Sequence, residues 1–366
     1  VAGLGVAYAT SRLLLSFVPG TEQITLSADL DPRAILFTAV LSVATGLLFG
    51  LFPALHSTRQ DLVSALKDEG GGSSASGGAS RFRQALVAAQ IALSLLLLIS
   101  AGLFLKSLVA VSRVDLGIRT ENILAFGLAP ELNKYQPAQT RVLFEKLEER
   151  LAGLPGVTSA TVALVPLIAG NNWGNDVSVE GFERGPDTDA GARYNEVGPG
   201  YFRTFGIPMV AGRTFTDADS ATGPPVAIVN EAFVRKFSPR SNIVGKRMAT
   251  GGGRGVKLDI EIVGVARDTK YSEVKDPAPP LYFRPYRQDK ELGSGWVYVA
   301  TTLPAEQMVG AVRRVVSELD PNLPMEDFRT MQQQVRENLF LERMMSSFAA
   351  SFALLATVLA AVGLYG

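Results

Sequence analysis

The chain has no cysteine and a single histidine, His56. The first absence excludes disulfides, thiolate metal sites and cysteine nucleophiles, and leaves the redox compartment open. The second excludes a Ser-His-Asp site or a histidine-built metal site anywhere remote from residue 56. Net charge is missing as well, since 35 Lys+Arg stand against 35 Asp+Glu. The overall balance therefore points to no nucleic acid and no acidic partner.

Charge is also missing locally, and there the absence is informative. Ala85–Leu105 (ALVAAQIALSLLLLISAGLFL) holds about 21 residues without a charge, long enough as a helix to span roughly 31 Å, the hydrocarbon thickness of a bilayer. Ala34–Leu55 is a second uncharged run. Val1–Val18 resembles the end of a membrane helix whose Arg12 could snorkel to the interface, with a buried soluble helix as the alternative. A further apolar run begins at Phe348. Val1–Val18 lacks the basic start of a signal peptide. The chain opens without Met and stops inside an apolar run, so a piece of a longer protein is expected.

Positive residues orient these spans. Arg59, Lys67, Arg81 and Arg83 flank the loop between Leu55 and Ala85, which places that loop in the cytoplasm. Gly70–Ser80 within it has the composition of a flexible linker. The polar region after Leu105, about 240 residues long, then lies outside the cytoplasm. Gly46 and Gly50 form a Gly-x-x-x-Gly pair suited to close helix packing, although membrane helices also carry glycine by composition alone.

The polar region contains two β-α-β patterns. The first has a strand at Ile123–Leu128, a helix over about 137–152 bearing Leu143, Leu147 and Leu151 on one face, and a strand at Thr158–Val165. The second has a strand near Trp296–Thr302, a helix over about 304–319 with Val309, Val312 and Val316, and a strand near Met325–Phe328. Right-handed crossovers predict both helices on one face of one sheet, a split βαβ sandwich. About 130 residues between the two patterns predict an inserted subdomain of short strands, at Val177–Val179, Val226–Val229, Ile260–Val265 and Leu281–Phe283. Helical turns are expected at Gly200–Phe205 and Glu231–Phe237, and one helix over Thr330–Met345 leading straight into the last span.

Catalytic candidates are sparse. Asp217 with Asp219, and Glu326 with Asp327, fit solvated turns better than acid-base pairs. Calcium at Asp187–Asp189 or Asp217–Asp219 would lack the Asx-rich loop and later glutamate of an EF-hand. Gly251–Lys257 (GGGRGVK) has neither the spacing nor the Ser/Thr of a phosphate loop and is read as a hairpin loop. The basic aromatic run Tyr282–Arg287 is read as an amphipathic edge strand.

Longer motifs carry a family resemblance. PALHSTRQDLVSALKDEG at 53–70, with Pro53, Ala54, Arg59, Asp61, Ala65, Leu66 and Lys67, resembles the segment after the last membrane helix of FtsX/MacB-type permeases. LPGVTSATVALVPL (154–167), VGPGYFRTFGIPMVAGRTFTDAD (197–219), VAIVNEAFVRKF (226–237) and EIVGVARDTKYSEVKDPAPPLYFRPY (261–286) are similar to the MacB-like periplasmic core domain. The motif positions are Gly200, Tyr201, Phe202, Gly206, Gly212, Arg213, Asn230 and Gly264, with structural rather than catalytic roles.

The resemblance implies a duplicated ABC-transporter permease of the acidobacterial type. Residues 1–66 would close the first unit, 67–84 form a cytoplasmic linker, and 85–105 start the second unit. Residues 106–346 would form the periplasmic core, with a porter-like part at 120–168 and 294–329 and an insert at 169–293, before the next helix at 347–366. The expected fold class is membrane α-helical spans plus an α+β extracytoplasmic domain. The implied function is mechanotransmission in the bacterial inner membrane. A partner cytoplasmic ABC ATPase would bind ATP-Mg, and this chain would bind no cofactor and perform no catalysis. A periplasmic adaptor or other envelope protein is a further implied partner. The family's Glu-Ile-Gly-x-Arg coupling segment lies beyond the residues present. A membrane-tethered ligand-binding or sensor module is the alternative function.

Overall fold

The computed structural model describes residues 32–57 and 77–365, apart from 184, 186, 239–241 and 253–255. In chain order the elements begin with helices α1 (Pro32–Ser57) and α2 (Gly77–Ser112), then strand β1 (Ile123–Leu128), helix α3 (Pro137–Ala152) and strand β2 (Val157–Ala163). There follow β3 (Gly174–Val179), β4 (Gly191–Val197), α4 (Tyr201–Phe205), β5 (Met209–Gly212), β6 (Val226–Asn230) and α5 (Glu231–Phe237). The remainder comprises β7 (Arg247–Thr250), β8 (Ile260–Ala266), β9 (Leu281–Pro285), β10 (Gly295–Thr301), α6 (Val309–Leu319), β11 (Met325–Thr330), α7 (Met331–Asn338) and α8 (Phe340–Tyr365). Two compact units result, one from the described residues up to Lys106 and from Met345 onward, the other from Ser107–Met344.

The first unit is helical. Among the described residues one helix, over Val87–Ser112, is by itself long and apolar enough to cross a membrane. Leu93, Leu96 and Leu103 on it are each more than 60% exposed, which in a water-soluble fold would be a large unburied apolar surface. The expected span at Ala34–Leu55 lies in α1, where Ile35–Leu47 forms a shorter apolar stretch. Residues 1–18 lie outside the described residues. The linker reading is shortened, because Gly77–Ser80 already belong to α2. Nothing after Leu105 breaks the helix either, and it runs on to Ser112.

Small residues let α2 and α8 approach closely. Ser94 and Ala101 on α2, and Ser346 and Ala353 on α8, are all buried. Ser94 Oγ donates to the Ala356 carbonyl at 3.1 Å, and Ser346 Oγ to that of Phe104 at 3.4 Å. Such pairs are the usual adhesive between helices in an apolar environment. Gly46, by contrast, meets no other helix among the described residues: apart from its own turn of α1, no atom lies within 4 Å of the place where a Cβ would stand.

The second unit is α+β. Strands β11-β1-β10-β2 form a sheet in that order, every neighbouring pair antiparallel. With the chain order β1-α3-β2 and β10-α6-β11, this is the split βαβ arrangement. Leu143, Phe144, Leu147 and Leu151 of α3 join Val312, Val315 and Val316 of α6 in one core against Phe126, Val162, Val297 and Val299. Both helices therefore cover one face.

The insert is more than a set of short strands. It includes β4, β5 and β7, which sequence patterning did not isolate. Burial along them, mixed in β4 and largely exposed in β5, lacks the strict alternation that marks a half-buried strand. Pairings β4–β3, β3–β7, β7–β8, β8–β6, β6–β9 and β9–β4 close a six-stranded barrel. Each of these strands contributes to one core, which Phe233 and Phe237 of α5 also enter. A third core fills the space between barrel wall and sheet. It joins Ile228 and Phe283 of the barrel, Ala125 and Tyr298 of the sheet, Tyr201, Phe202 and Phe205 of α4, and Met331 of α7. The second face of the sheet is thus covered by a helix of the insert and by α7.

The expected single helix over Thr330–Met345 is broken at Leu339, between α7 and α8. Leu339 is buried in the third core, and the Asn338 side chain is committed to backbone groups outside the helix.

Candidate functional site

The chain passes twice between sheet and barrel, outward along 164–173 after β2 and back along 285–292 before β10. Both crossings are rich in polar interactions, and they are built from different chemistry.

The outward crossing is held by neutral groups. The fully buried Asn195 of β4 accepts from Val165 N–H at 2.9 Å and donates to the Val165 carbonyl at 2.8 Å. Leu167 N–H donates to the Tyr298 hydroxyl at 3.0 Å. Ile168 is the unusual residue. It is fully buried yet sits at φ 54°, a conformation that costs a β-branched residue roughly 1–3 kcal/mol and persists only when surroundings enforce it. Two bonds enforce it here. Ile168 N–H donates to the Tyr271 carbonyl at 2.8 Å, and Gln334 Nε2 of α7 donates to the Ile168 carbonyl at 3.2 Å. One turn along α7, Asn338 accepts from Val274 N–H at 3.0 Å and donates to the Ser272 carbonyl at 3.2 Å. Ser272 in turn takes Gly170 N–H on its carbonyl and donates its hydroxyl to the Asn171 carbonyl. Positions i and i+4 share a helix face, so α7 presents two amides as a pair to the outward crossing.

Helix α7 is itself firmly started. Thr330 Oγ1 accepts from Gln333 N–H, while Gln333 Oε1 accepts from Thr330 N–H, a reciprocal cap that satisfies two otherwise free donors. Arg329 pairs with Asp327 and Glu337 at 2.7 Å each and also donates to Gln334 Oε1.

The return crossing is held by charge. Glu148 of α3 points into the protein, where its Oε1 accepts from Val162 N–H at 3.0 Å and its Oε2 accepts from the Tyr286 hydroxyl at 2.8 Å. Burial pushes this carboxyl up to about 7, against the opposing pull of the Tyr286 hydroxyl, the Val162 amide and the Arg287 charge. Gly198 makes room for it, since a Cβ there would stand 2.1 Å from Oε1. Arg287 contacts Asp217 of the insert at 2.7 Å, Glu145 at 3.5 Å and Glu148 at 3.8 Å. Gln288 bonds to Val226 N–H and to the Pro224 carbonyl. Nearby, Glu196 of β4 is pushed up to about 8, first by burial and then by Asp289, with Arg284 opposing.

The motif positions of the insert are structural in geometry. Gly200 precedes α4 where a Cβ would meet the Ala160 carbonyl at 2.7 Å. Tyr201 and Phe202 are buried in the third core, and Gly206 ends α4 at φ 66°. Gly212, at φ 72°, and Gly264 lie side by side on paired strands β5 and β8, where a Cβ on Gly212 would stand 2.2 Å from the Val263 carbonyl. Arg213 makes a two-pronged pair with Asp219 at 2.8 and 2.9 Å. Burial acts to raise Asp219, yet the Arg213 and Thr216 hydrogen bonds hold it below the ordinary carboxylate value. Asn230 caps α5 through Phe233 N–H, accepts from Leu281 N–H and donates to the Pro279 carbonyl. Pro53 and Ala54 fall in the last turns of α1, while Asp61, Ala65 and Leu66 lie outside the described residues.

Four of the acidic candidates are in ion pairs, Asp189 with Lys236 at 2.8 Å, Asp327 with Arg329 at 2.7 Å, Asp217 with Arg287 at 2.7 Å and Asp219 with Arg213 at 2.8 Å. Among the described residues no group of three acidic or histidine side chains could hold a metal. Strands β7 and β8, which flank the run at 251–257, pair antiparallel, while residues 253–255 within the run lie outside the described residues. Tyr282–Arg287 supplies the barrel strand β9 and the return crossing, not a sheet edge. Sequence reasoning missed Glu148, Gln334 and Ile168. The only signal available was a glutamate on the leucine face of α3, one position after Leu147.

The MacB-like periplasmic core domain family matches residues 85–319. The chain belongs to this family of ABC-transporter permease domains. Among solved structures, the periplasmic region of MacB from Actinobacillus actinomycetemcomitans is 15% identical, with 61% of this chain and 95% of that one covered at TM-score 0.40. The extracellular domain of the noncanonical ABC-type transporter YknZ from Gram-positive bacteria is 18% identical, with 53% and 93% covered at TM-score 0.35. No curated protein sequence matches.

Proposed function

We propose that this chain is the permease subunit of an ABC transporter of the mechanotransmission type, multi-pass in the bacterial inner membrane with Ser107–Met344 on the extracytoplasmic side. A partner cytoplasmic ATPase binds and hydrolyses ATP-Mg. The permease converts that cycle into movement of its extracytoplasmic domain for export or efflux, with a periplasmic adaptor or another envelope protein as the receiver. Family membership supports the class. The observation that carries the reading is the nature of the two helical attachments. Helix α2 is uninterrupted from its exposed apolar stretch to Ser112. Helix α7, just ahead of α8, grips a strained loop through Gln334 and Asn338. A displacement of α7 would reach the outward crossing through hydrogen bonds rather than through a slack linker.

The test is a Gly-Gly-Ser insertion between Lys106 and Ser107 in the full-length protein, with its ATPase. It is expected to leave the domain folded and to abolish ATP-dependent activity. Unchanged activity would overturn the transmission reading. Co-purification of an ATPase checks the partner.

One observation favours a second reading, a tethered ligand-binding or sensor module. A cavity of about 410 Å³ is lined by Asn175, Asp176, Asp189, Arg193 and Lys236. Tight, specific binding of one small molecule there, with no ATP-linked movement, would favour it.

A further inference from the structure

The return crossing contains a group with competing partners. Arg287 is mostly buried, and among the described residues its Nε has no hydrogen-bond partner, only the Glu145 carboxylate at 3.5 Å. Its NH1 meets the exposed Asp217 of the insert at 2.7 Å, whereas Oε2 of the buried Glu148 lies 3.8 Å from NH2. The guanidinium therefore bridges the sheet side and the barrel side, and it holds the outer carboxylate more closely than the inner one.

We propose that Glu148 and Arg287 form a pH-sensitive selector at the return crossing: with Glu148 protonated, Arg287 anchors Asp217 and the 215–223 loop, and when Glu148 ionises, Arg287 is drawn inward and releases that loop. The proton leaves the Glu148 carboxyl for solvent, and no covalent bond changes. The physical reason is that a buried anion needs a close cation far more than an exposed one does. Asp217 is 90% exposed in its side chain and is solvated whether or not Arg287 holds it, whereas an ionised Glu148 has little water.

Other groups facing Glu148 do not remove the competition. From β2 come the Val162 N–H and the Thr161 hydroxyl, both lowering its pKa. From the return crossing, Tyr286 donates its hydroxyl. On α3 itself Glu145 lies 3.5 Å from Arg287, a third competing carboxylate that is partly exposed. Just after β4, Gly198 brings no charge, and Glu196 within β4 is occupied with Arg284 at 3.5 Å and with Asp289. The transition belongs near pH 7, where burial places Glu148. The loop keeps its Arg213–Asp219 pair throughout, so release is local.

The selector does not rest on the permease reading and is testable in the purified full chain, without an ATPase. Amide hydrogen exchange over 213–226 is measured between pH 5.5 and 8.5 and corrected for intrinsic rates. Wild-type protection is expected to fall about tenfold, a loss of about 1.4 kcal/mol, with its midpoint near 7. Glu148→Gln should hold the loop protected at all pH values. Asp217→Asn, an exposed change that does not disturb the core, should leave it unprotected at all pH values. A wild-type profile that is flat, or a pH step that survives in Asp217→Asn, would overturn the proposal. So would the same step in a folded Glu148→Gln.

Discussion

The two crossings between sheet and barrel do the same topological job with opposite chemistry. The outward crossing relies on Asn195, Gln334, Asn338 and a strained Ile168, none of which titrates in water. The return crossing relies on Glu148, Arg287 and Tyr286, with Glu196 close by. Neutral amides hold a fixed geometry at any pH. A buried carboxylate holds one that depends on its proton. One connection is thus suited to carrying displacement from α7, and the other to adjusting how firmly the barrel is held.

Four substitutions would break or sharpen this contrast. The domain's two tryptophans, Trp173 at the end of the outward crossing and Trp296 at the start of β10, let fluorescence-monitored denaturation read it without a label. Gly198→Ala should have the largest effect, a loss of more than about 3 kcal/mol, because a methyl group there overlaps a buried, hydrogen-bonded Glu148.

Glu148→Gln comes next and is defined by pH. In the wild type the folded carboxyl titrates near 7, from an ordinary value of 4.5. Its contribution to stability is therefore complete below 4.5 and lost as pH rises to 7. Glutamine cannot ionise, so the variant should gain about 3 kcal/mol on the wild type between pH 4.5 and 8. Glu196 acts in the same sense but is common to both proteins and cancels in the difference. A constant offset between the two denaturation series would contradict the assignment.

Gln334→Ala tests the other crossing. It leaves the Ile168 carbonyl and an already strained backbone without their donor, and should cost about 2 kcal/mol, equally at pH 5 and pH 8. A pH-dependent loss would erase the distinction between crossings. Tyr201→Phe is the smallest expected change. Tyr201 is fully buried with no partner for its hydroxyl among the described residues, so removing that oxygen should stabilise the domain by about 1 kcal/mol.

Much of the fold was legible because its signals are periodic. Leucines at 143, 147 and 151 and valines at 312 and 316 mark the helix faces that meet in one core. The strands at 123–128 and 295–301 are almost wholly buried and read as apolar runs. The candidate site was not legible. Gln334 and Asn338 resemble any exposed helix amides, and an isoleucine gives no local sign of a left-handed backbone. Strands β4, β5 and β7 stayed hidden because their residues face two cores, or one core and solvent, within four to seven positions.

The sequence by itself determined which stretches are too apolar for water, where two β-α-β units lie, and which chemistry is excluded by one histidine and no cysteine. Those properties depend on residues near one another in the chain. Tertiary structure alone decided that the insert closes into a barrel, that α4 and α7 cover the second face of the sheet, and that Glu148 meets Tyr286 across 138 positions. Each of these requires two distant segments to share one desolvated volume. Whether a glutamate there is a solvated surface charge or a group that titrates near neutrality depends on what excludes water around it.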